Sequence, residues 1–395
     1  MDTQNTPVHL RLWHRGFWLL AFANLLLTMA IYMLIILMGD WQQDVWGLPG
    51  STQGCLMGAY GVGLFLLGPF CSWWVQRYRR NHVCLTAIAA VMAVIAAFWF
   101  MQLKYVSWHL QPWHFGALRL MLGATFGLAQ MVLSSTLIID VCESFQRTEA
   151  NHSSAWFSRF ALSLGPVLAL VLVRIPLPVP YPHLATATLA AIALTAISAL
   201  LIMMVPFPFR APDDQLNHFS LDRFFLPSAW PLILNLLLVA AVAGFLLAIE
   251  RNAMFYAMMM AGFFLALLAQ RFVFADADLK SEPVAGLFLL IAALLIREQP
   301  VTQAAVFLAP VLLGVGFGLI GSRFLLFFIK LSRHCQRGTS QSTFFLTWEA
   351  GISIGLLMGY ASPTKFFCIS LTLTVAALAI YHFFTHNWYL RHKNR

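Results

Sequence analysis

The sequence predicts an all-α integral membrane fold, with twelve transmembrane helices in two pseudo-symmetric six-helix bundles. Three observations predict it. The 395 residues are 60% hydrophobic and 10% charged, with a mean hydropathy of +0.77, whereas a soluble domain carries about 25% charge. The apolar residues gather into runs close to the ~20 that a spanning helix needs. Finally, groups of residues recur at an offset near half the chain length. Thirty-four Phe and thirteen Trp suit lipid-facing surfaces and interfacial belts. The formal charge of +9 is read as cytoplasmic loops rich in Lys and Arg, and no nucleic-acid partner is expected.

The runs place the spans at roughly 16–38, 51–74, 82–102, 114–139, 152–174, 184–206, 230–249, 253–274, 283–297, 302–330, 341–360 and 364–386. The first run is too long for a signal-peptide core and lacks a clear small-x-small cleavage site, so it is expected to be retained as a helix. The ninth is the shortest. Only Glu250-Arg251-Asn252 separates the seventh from the eighth. With the N-terminus inside, sixteen Lys and Arg fall in cytoplasmic segments, five in outer loops and three within spans. The excess of positive charge predicts that both termini are cytoplasmic. The longest polar connection divides the chain into a bundle at 1–206, a linker at 207–229 and a bundle at 230–395.

Three matches carry the repeat. Gly68…Gln76-Arg77 is similar to Gly262…Gln270-Arg271 at an offset of 194, and Arg147…Arg159…Gly165 to Arg337…Glu349…Gly355 at 190. Gly123 and Gly127 match Gly314 and Gly318 at 191. Two such halves are the repeat architecture of a secondary transporter, with its site at midplane between them.

Composition narrows the alternatives. The six cysteines form no C-x-x-C or C-x-x-x-C pair, so neither a disulfide framework nor a metal site is inferred. The twelve histidines are scattered, so the constellation of a membrane enzyme is missing. No G-x-x-x-x-G-K-[ST] loop occurs, so energy is expected from an ion gradient. No cofactor is expected, and the protein is expected to act as a monomer in the lipid bilayer.

The loop GPFCSWWVQRYRRNHV, with Gln76, Arg77, Arg79 and Arg80, resembles a loop motif of the major facilitator superfamily, G-x-x-x-D-R-x-G-R-R after a GP turn; Arg77 and Arg80 match, whereas Gln76 stands for the Asp and Arg79 for the Gly. Arg119…Gly123 resembles the fourth-span R-x-x-x-G pattern. Gly165-Pro166 resembles the fifth-span motif of exporters, and RGTSQSTFFLTWEAGISIG the eleventh-span pattern. The resemblance implies the superfamily's fold, a secondary transporter of a small molecule, and a cytoplasmic gate at the loop motif. Gln76, Arg77 and Arg80 would form that gate, with Asp140 and Glu143 as partners for the arginines. A bacterial inner membrane is the expected location.

Charge inside hydrocarbon is costly and marks function. Glu349 is read as the only acidic residue well within an apolar span, ~12 Å along its helix from the cytoplasmic side. Arg159, its repeat equivalent, and Arg323 lie at similar depth, so Glu349 is expected to pair with one of them when that side is closed. Substrate or proton would compete for it. Arg119 would tune an acid or bind an anion. Proton-coupled efflux is the leading expectation, and proton symport of a small anionic nutrient bearing carboxylate or phosphate is the alternative. Gly123, Gly127, Gly165, Pro166 and Gly355 are expected at helix crossings or hinges. Asn24, Tyr32, Gln130, Asn235 and Trp348 are lesser cavity candidates.

Overall fold

A computed structural model describes residues 11–104, 108–175, 182–207, 217–299, 302–333 and 336–393. Cys335 and linker residues 208–216 lie outside them. Among the described residues twelve long helices follow one another. They are α1 Arg15–Trp46, α2 Gly50–Arg77, α3 Arg80–Lys104, α4 Pro112–Asp140, α5 Arg147–Leu172, α6 Leu184–Met203, α7 Pro227–Ile249, α8 Ala253–Phe272, α9 Ser281–Glu298, α10 Gln303–Leu331, α11 Arg337–Ala361 and α12 Pro363–His392. All but α9 are long and apolar enough to cross a membrane. In α9 the apolar stretch is bounded by Glu282 and by Arg297-Glu298, which is why it reads as the weakest span. Helices suit this setting because their backbone groups are satisfied within the segment, as hydrocarbon requires.

The packing of the first six helices recurs in the last six. The pairs α1·α5, α1·α6, α2·α4, α3·α4 and α3·α6 are matched by α7·α11, α7·α12, α8·α10, α9·α10 and α9·α12. Across the middle, α2 lies along α11 and α5 along α8. Small residues set the crossings. A Cβ on Gly123 would come within 2.1 Å of the Tyr60 carbonyl oxygen, and one on Gly314 within 2.1 Å of that of Met259. A Cβ on Gly165 would lie 3.0 Å from the Met29 carbonyl oxygen, and one on Gly355 2.0 Å from that of Ala241. Gly127 lies against Leu64, and Pro166 sits within α5 directly after Gly165.

One sequence match takes a different register. Gly262 meets Gly314 as Gly63, not Gly68, meets Gly123. Gly68 instead stands in a short 3₁₀ turn that interrupts α2, and it packs against Phe224.

Such crossings tolerate no bulk. Gly355→Val is expected to cost about 1–3 kcal/mol or more through overpacking. Thermal unfolding in detergent would show this, whereas Gly58→Ala, whose Cβ would meet nothing nearer than 3.5 Å, leaves the midpoint unchanged.

Candidate functional site

Glu349 is 2% exposed and belongs to α11, yet both its carboxylate oxygens are held by the first half. The Tyr32 hydroxyl of α1 donates to Oε1 at 2.5 Å, and the Tyr60 hydroxyl of α2 donates to Oε2 at 2.9 Å. Arg119, fully buried, stacks 5.1 Å from the Tyr60 ring centroid and donates through Nη2 to the Met57 carbonyl at 2.9 Å. Arg119 therefore reaches Glu349 through Tyr60. Its Nε and Nη1 have no hydrogen-bond partner.

Arg159 is on α5 and 4% exposed. None of its three guanidinium nitrogens has a hydrogen-bond partner. The group rests on the Trp156 and Phe344 rings, 4.7 and 5.8 Å from their centroids. Gly321 on α10 makes room for it, since a Cβ there would lie 2.8 Å from Nε. An unpartnered buried guanidinium bears a large desolvation cost, and an anion would relieve it.

Arg159 and Glu349 line one cavity of about 30 Å³, together with Tyr32, Gln130, Gln341 and Trp348. That is room for about two waters. Gln130 donates to Asn24 Oδ1 at 2.5 Å and to Thr28 Oγ1 at 3.3 Å, so α1 and α4 are tied beside the cavity. Asn235 is elsewhere, donating to the Ala377 carbonyl of α12 at 2.8 Å. Among the described residues no group of three His, Cys, Asp or Glu could hold a metal ion.

The expected pairing of Glu349 with Arg159 or Arg323 is not the arrangement found. Arg323 pairs with Glu282 of α9, which is 1% exposed. Glu349 is thus not the sole buried carboxylate. The sequence hides Glu282 because it stands one residue before the apolar run that begins at 283. Gln270 also donates to Glu282, and Ser322 donates to Gln270 Oε1 at 3.1 Å. Ser322 Oγ lies 2.5 Å from Nε2 of His152 on α5. This network therefore crosses between the halves.

At the end where α1 begins and α12 ends, Arg80 contacts both oxygens of Asp140 at 2.7 and 2.6 Å, a bond between α3 and α4 within one half. Arg77 stacks over Trp73, and Gln76 Oε1 is buried without a partner. Glu143 lies half-buried in the following loop, and no ion pair joins it to Arg77 or Arg80 among the described residues. The link to the second half comes instead from Asp222 and Arg223. Asp222 accepts from Ser72 of α2 at 3.5 Å and from Thr339 of α11 at 3.0 Å. The Arg223 amide donates to Thr339 Oγ1 at 2.8 Å, from a backbone φ of 58°.

At the opposite end, Arg251 donates to both oxygens of Asp40, at 2.7 and 2.8 Å, joining the α7–α8 link to α1. Burial pushes the Arg251 guanidinium down; the hydrogen bonds to Asp40, the Asp40 charge and the neighbouring Tyr360 and Tyr256 together outweigh it and hold the group above its ordinary range. Asp40 escaped the sequence reading because α1 continues past the expected end at 38. Its 32 residues span ~48 Å, well beyond a ~30 Å hydrocarbon core.

No family model and no curated protein matches the sequence. Solved structures do match in fold. A bacterial homologue of the human lysosomal transporter Spinster, inward-facing and occupied, superposes with a TM-score of 0.67 at 14% identity, covering 95% of this chain and 96% of that one. A bacterial homologue of the iron transporter ferroportin, outward-facing, gives 0.65 at 15% identity, covering 97% and 100%. The E. coli fucose:proton symporter FucP gives 0.63 at 15% identity, covering 95% and 99%. The chain therefore has the major facilitator fold, that of a multi-pass integral membrane protein.

Proposed function

We propose that this protein is a secondary transporter that moves a small molecule by alternating access, coupled to protons and working in the direction of export. One observation carries the coupling. Glu349 is a buried carboxylate with no basic partner, held across the two halves by Tyr32 and Tyr60 at the wall of the cavity. A proton on Glu349 weakens those bonds, because hydrogen bonds to charged groups are about twice as strong as neutral ones. Protonation thereby biases the interface between halves, the two-state element that alternating access needs. The bundles 1–206 and 230–395 would rock about the linker 207–229. The Asp40–Arg251 pair would close one end. At the other, the Asp222–Thr339 link would act beside a gate of Gln76, Arg77, Arg80, Asp140 and Glu143. The working unit would be a monomer in a bacterial inner membrane, with both termini cytoplasmic.

Export rests on the Gly165-Pro166 resemblance. Arg159 supports a second reading, proton symport of a small anion bearing a carboxylate or phosphate, because its guanidinium has no partner of its own. Comparative metabolite profiling of cells and medium, with and without the protein, distinguishes the two. A compound enriched outside identifies export and one enriched inside identifies uptake; unchanged pools across media sink the transporter reading. Once the compound is known, Arg159→Gln is expected to weaken its binding about 10- to 100-fold if it is anionic. That is the loss of ~1.5–3 kcal/mol from one hydrogen-bonded charge. An unchanged affinity in isothermal titration would remove Arg159 from the site.

A further inference from the structure

A second, larger hollow lies away from the central cavity, between α2, α3 and α4 at the end where α1 begins and α12 ends. It measures about 610 Å³. Its two ends differ in chemistry. At one, Arg77, Arg79 and His82 form an exposed rim. From there the floor runs along α3 and α4 over Val83, Ala87, Ala90 and Leu128. Among the described residues no carboxylate lines it. The nearby Asp140 is engaged by Arg80, which itself does not line the groove. Among the described residues the rim charges therefore have no acidic neighbour in the groove.

We propose that this groove is a binding site for an anionic phospholipid, its headgroup phosphate on Arg77 and Arg79 and one acyl chain along Ala87, Ala90 and Leu128. The charge favours an anion over a zwitterion. The apolar floor favours a lipid over a free phosphate, which would leave that floor uncovered. Basic pockets between membrane helices recognise headgroups in this way. The floor includes small side chains, the alanines at 87 and 90, four and seven residues beyond Val83. Arg79 stands where the related loop motif has glycine, so the second rim charge is particular to this sequence.

Native mass spectrometry of the detergent-purified full chain tests the site, with phosphatidylglycerol and phosphatidylcholine offered at equal concentration. The wild type is expected to retain phosphatidylglycerol selectively. At about 1 kcal/mol per basic residue, Arg77→Gln with Arg79→Gln is expected to cut that retention about thirtyfold. Arg271→Gln, an exposed arginine outside the groove, leaves it unchanged. Ala90→Phe fills the floor without touching charge and is expected to cut retention too. Equal retention of both lipids by the wild type overturns the proposal, as does an equal loss in Arg271→Gln. If Ala90→Phe retains the lipid while glycerol phosphate displaces it, the rim binds phosphate alone and the lipid assignment fails. Unchanged unfolding midpoints of the variants show that they are folded.

Discussion

Glu349→Gln is expected to remove the response of transport to an imposed pH gradient while leaving substrate exchange at equal pH on both sides. Glutamine keeps the size of the side chain; its oxygen can accept from one tyrosine while its amide NH2 donates to the other hydroxyl, so the packing at the cavity survives. What it loses is the ability to alternate between a charged and a neutral acceptor. The difference between those hydrogen bonds is on the order of 1–1.5 kcal/mol, so gradient-driven accumulation in proteoliposomes should fall about tenfold or more. Replacing both tyrosines by phenylalanine should depress driven transport as well, because the carboxylate would then have nothing across the interface to hold. If Glu349→Gln transports with the same pH dependence as wild type, Glu349 is a structural residue and the coupling proposal fails.

The second large effect concerns Arg323 and Glu282. Glu282 is 1% exposed and the Arg323 side chain 16% exposed, so removing one partner strands a charge in a low-dielectric setting. Arg323→Leu alone is expected to cost ~3–5 kcal/mol, seen as a large fall in unfolding temperature or in yield of monodisperse protein. Glu282→Leu with Arg323→Leu should recover most of that loss, since a buried pair replaced by apolar residues is often neutral or stabilising. A double variant as unstable as the single one would mean that the network through Gln270, Ser322 and His152 depends on these two charges. Transport by the double variant would also separate Arg323, as a structural residue, from Glu349 and Arg159 at the cavity.

The helices were legible because hydropathy depends on local sequence, and the repeat placed Gly165 and Gly355 at equivalent crossings. Arg159 and Glu349 were legible as charges within apolar runs, and they do line one cavity. Their partners were not. Tyr60 lies in a glycine-rich stretch that reads as helix packing, and its hydroxyl meets Glu349 only because α2 and α11 lie side by side. Glu282 and Asp40 fall just outside apolar runs, where a residue reads as loop. Gln76 and Arg77 carry a motif resemblance, yet the link at that end is made by Asp222, in the linker where no motif falls, and by Thr339, whose place in the eleventh-span stretch does not show its partner. Periodicity and composition identify buried charge; which groups meet is decided by contacts tens to hundreds of residues apart.

The π-helical turn at Leu133–Leu137 in α4 bears on angular phase. Thirteen positions separate Gly127 from Asp140, where α4 ends, and thirteen separate Gly318 from Leu331, where α10 ends without such a turn. The two helices are equally long beyond their glycines. In a regular α-helix each residue advances the heading by about 100°, whereas a π turn fits its residues into one wider turn. The widened turn at Ser134-Ser135 thus sets the end of α4 at a different angular phase from the end of α10, and at that phase Asp140 meets Arg80 of α3.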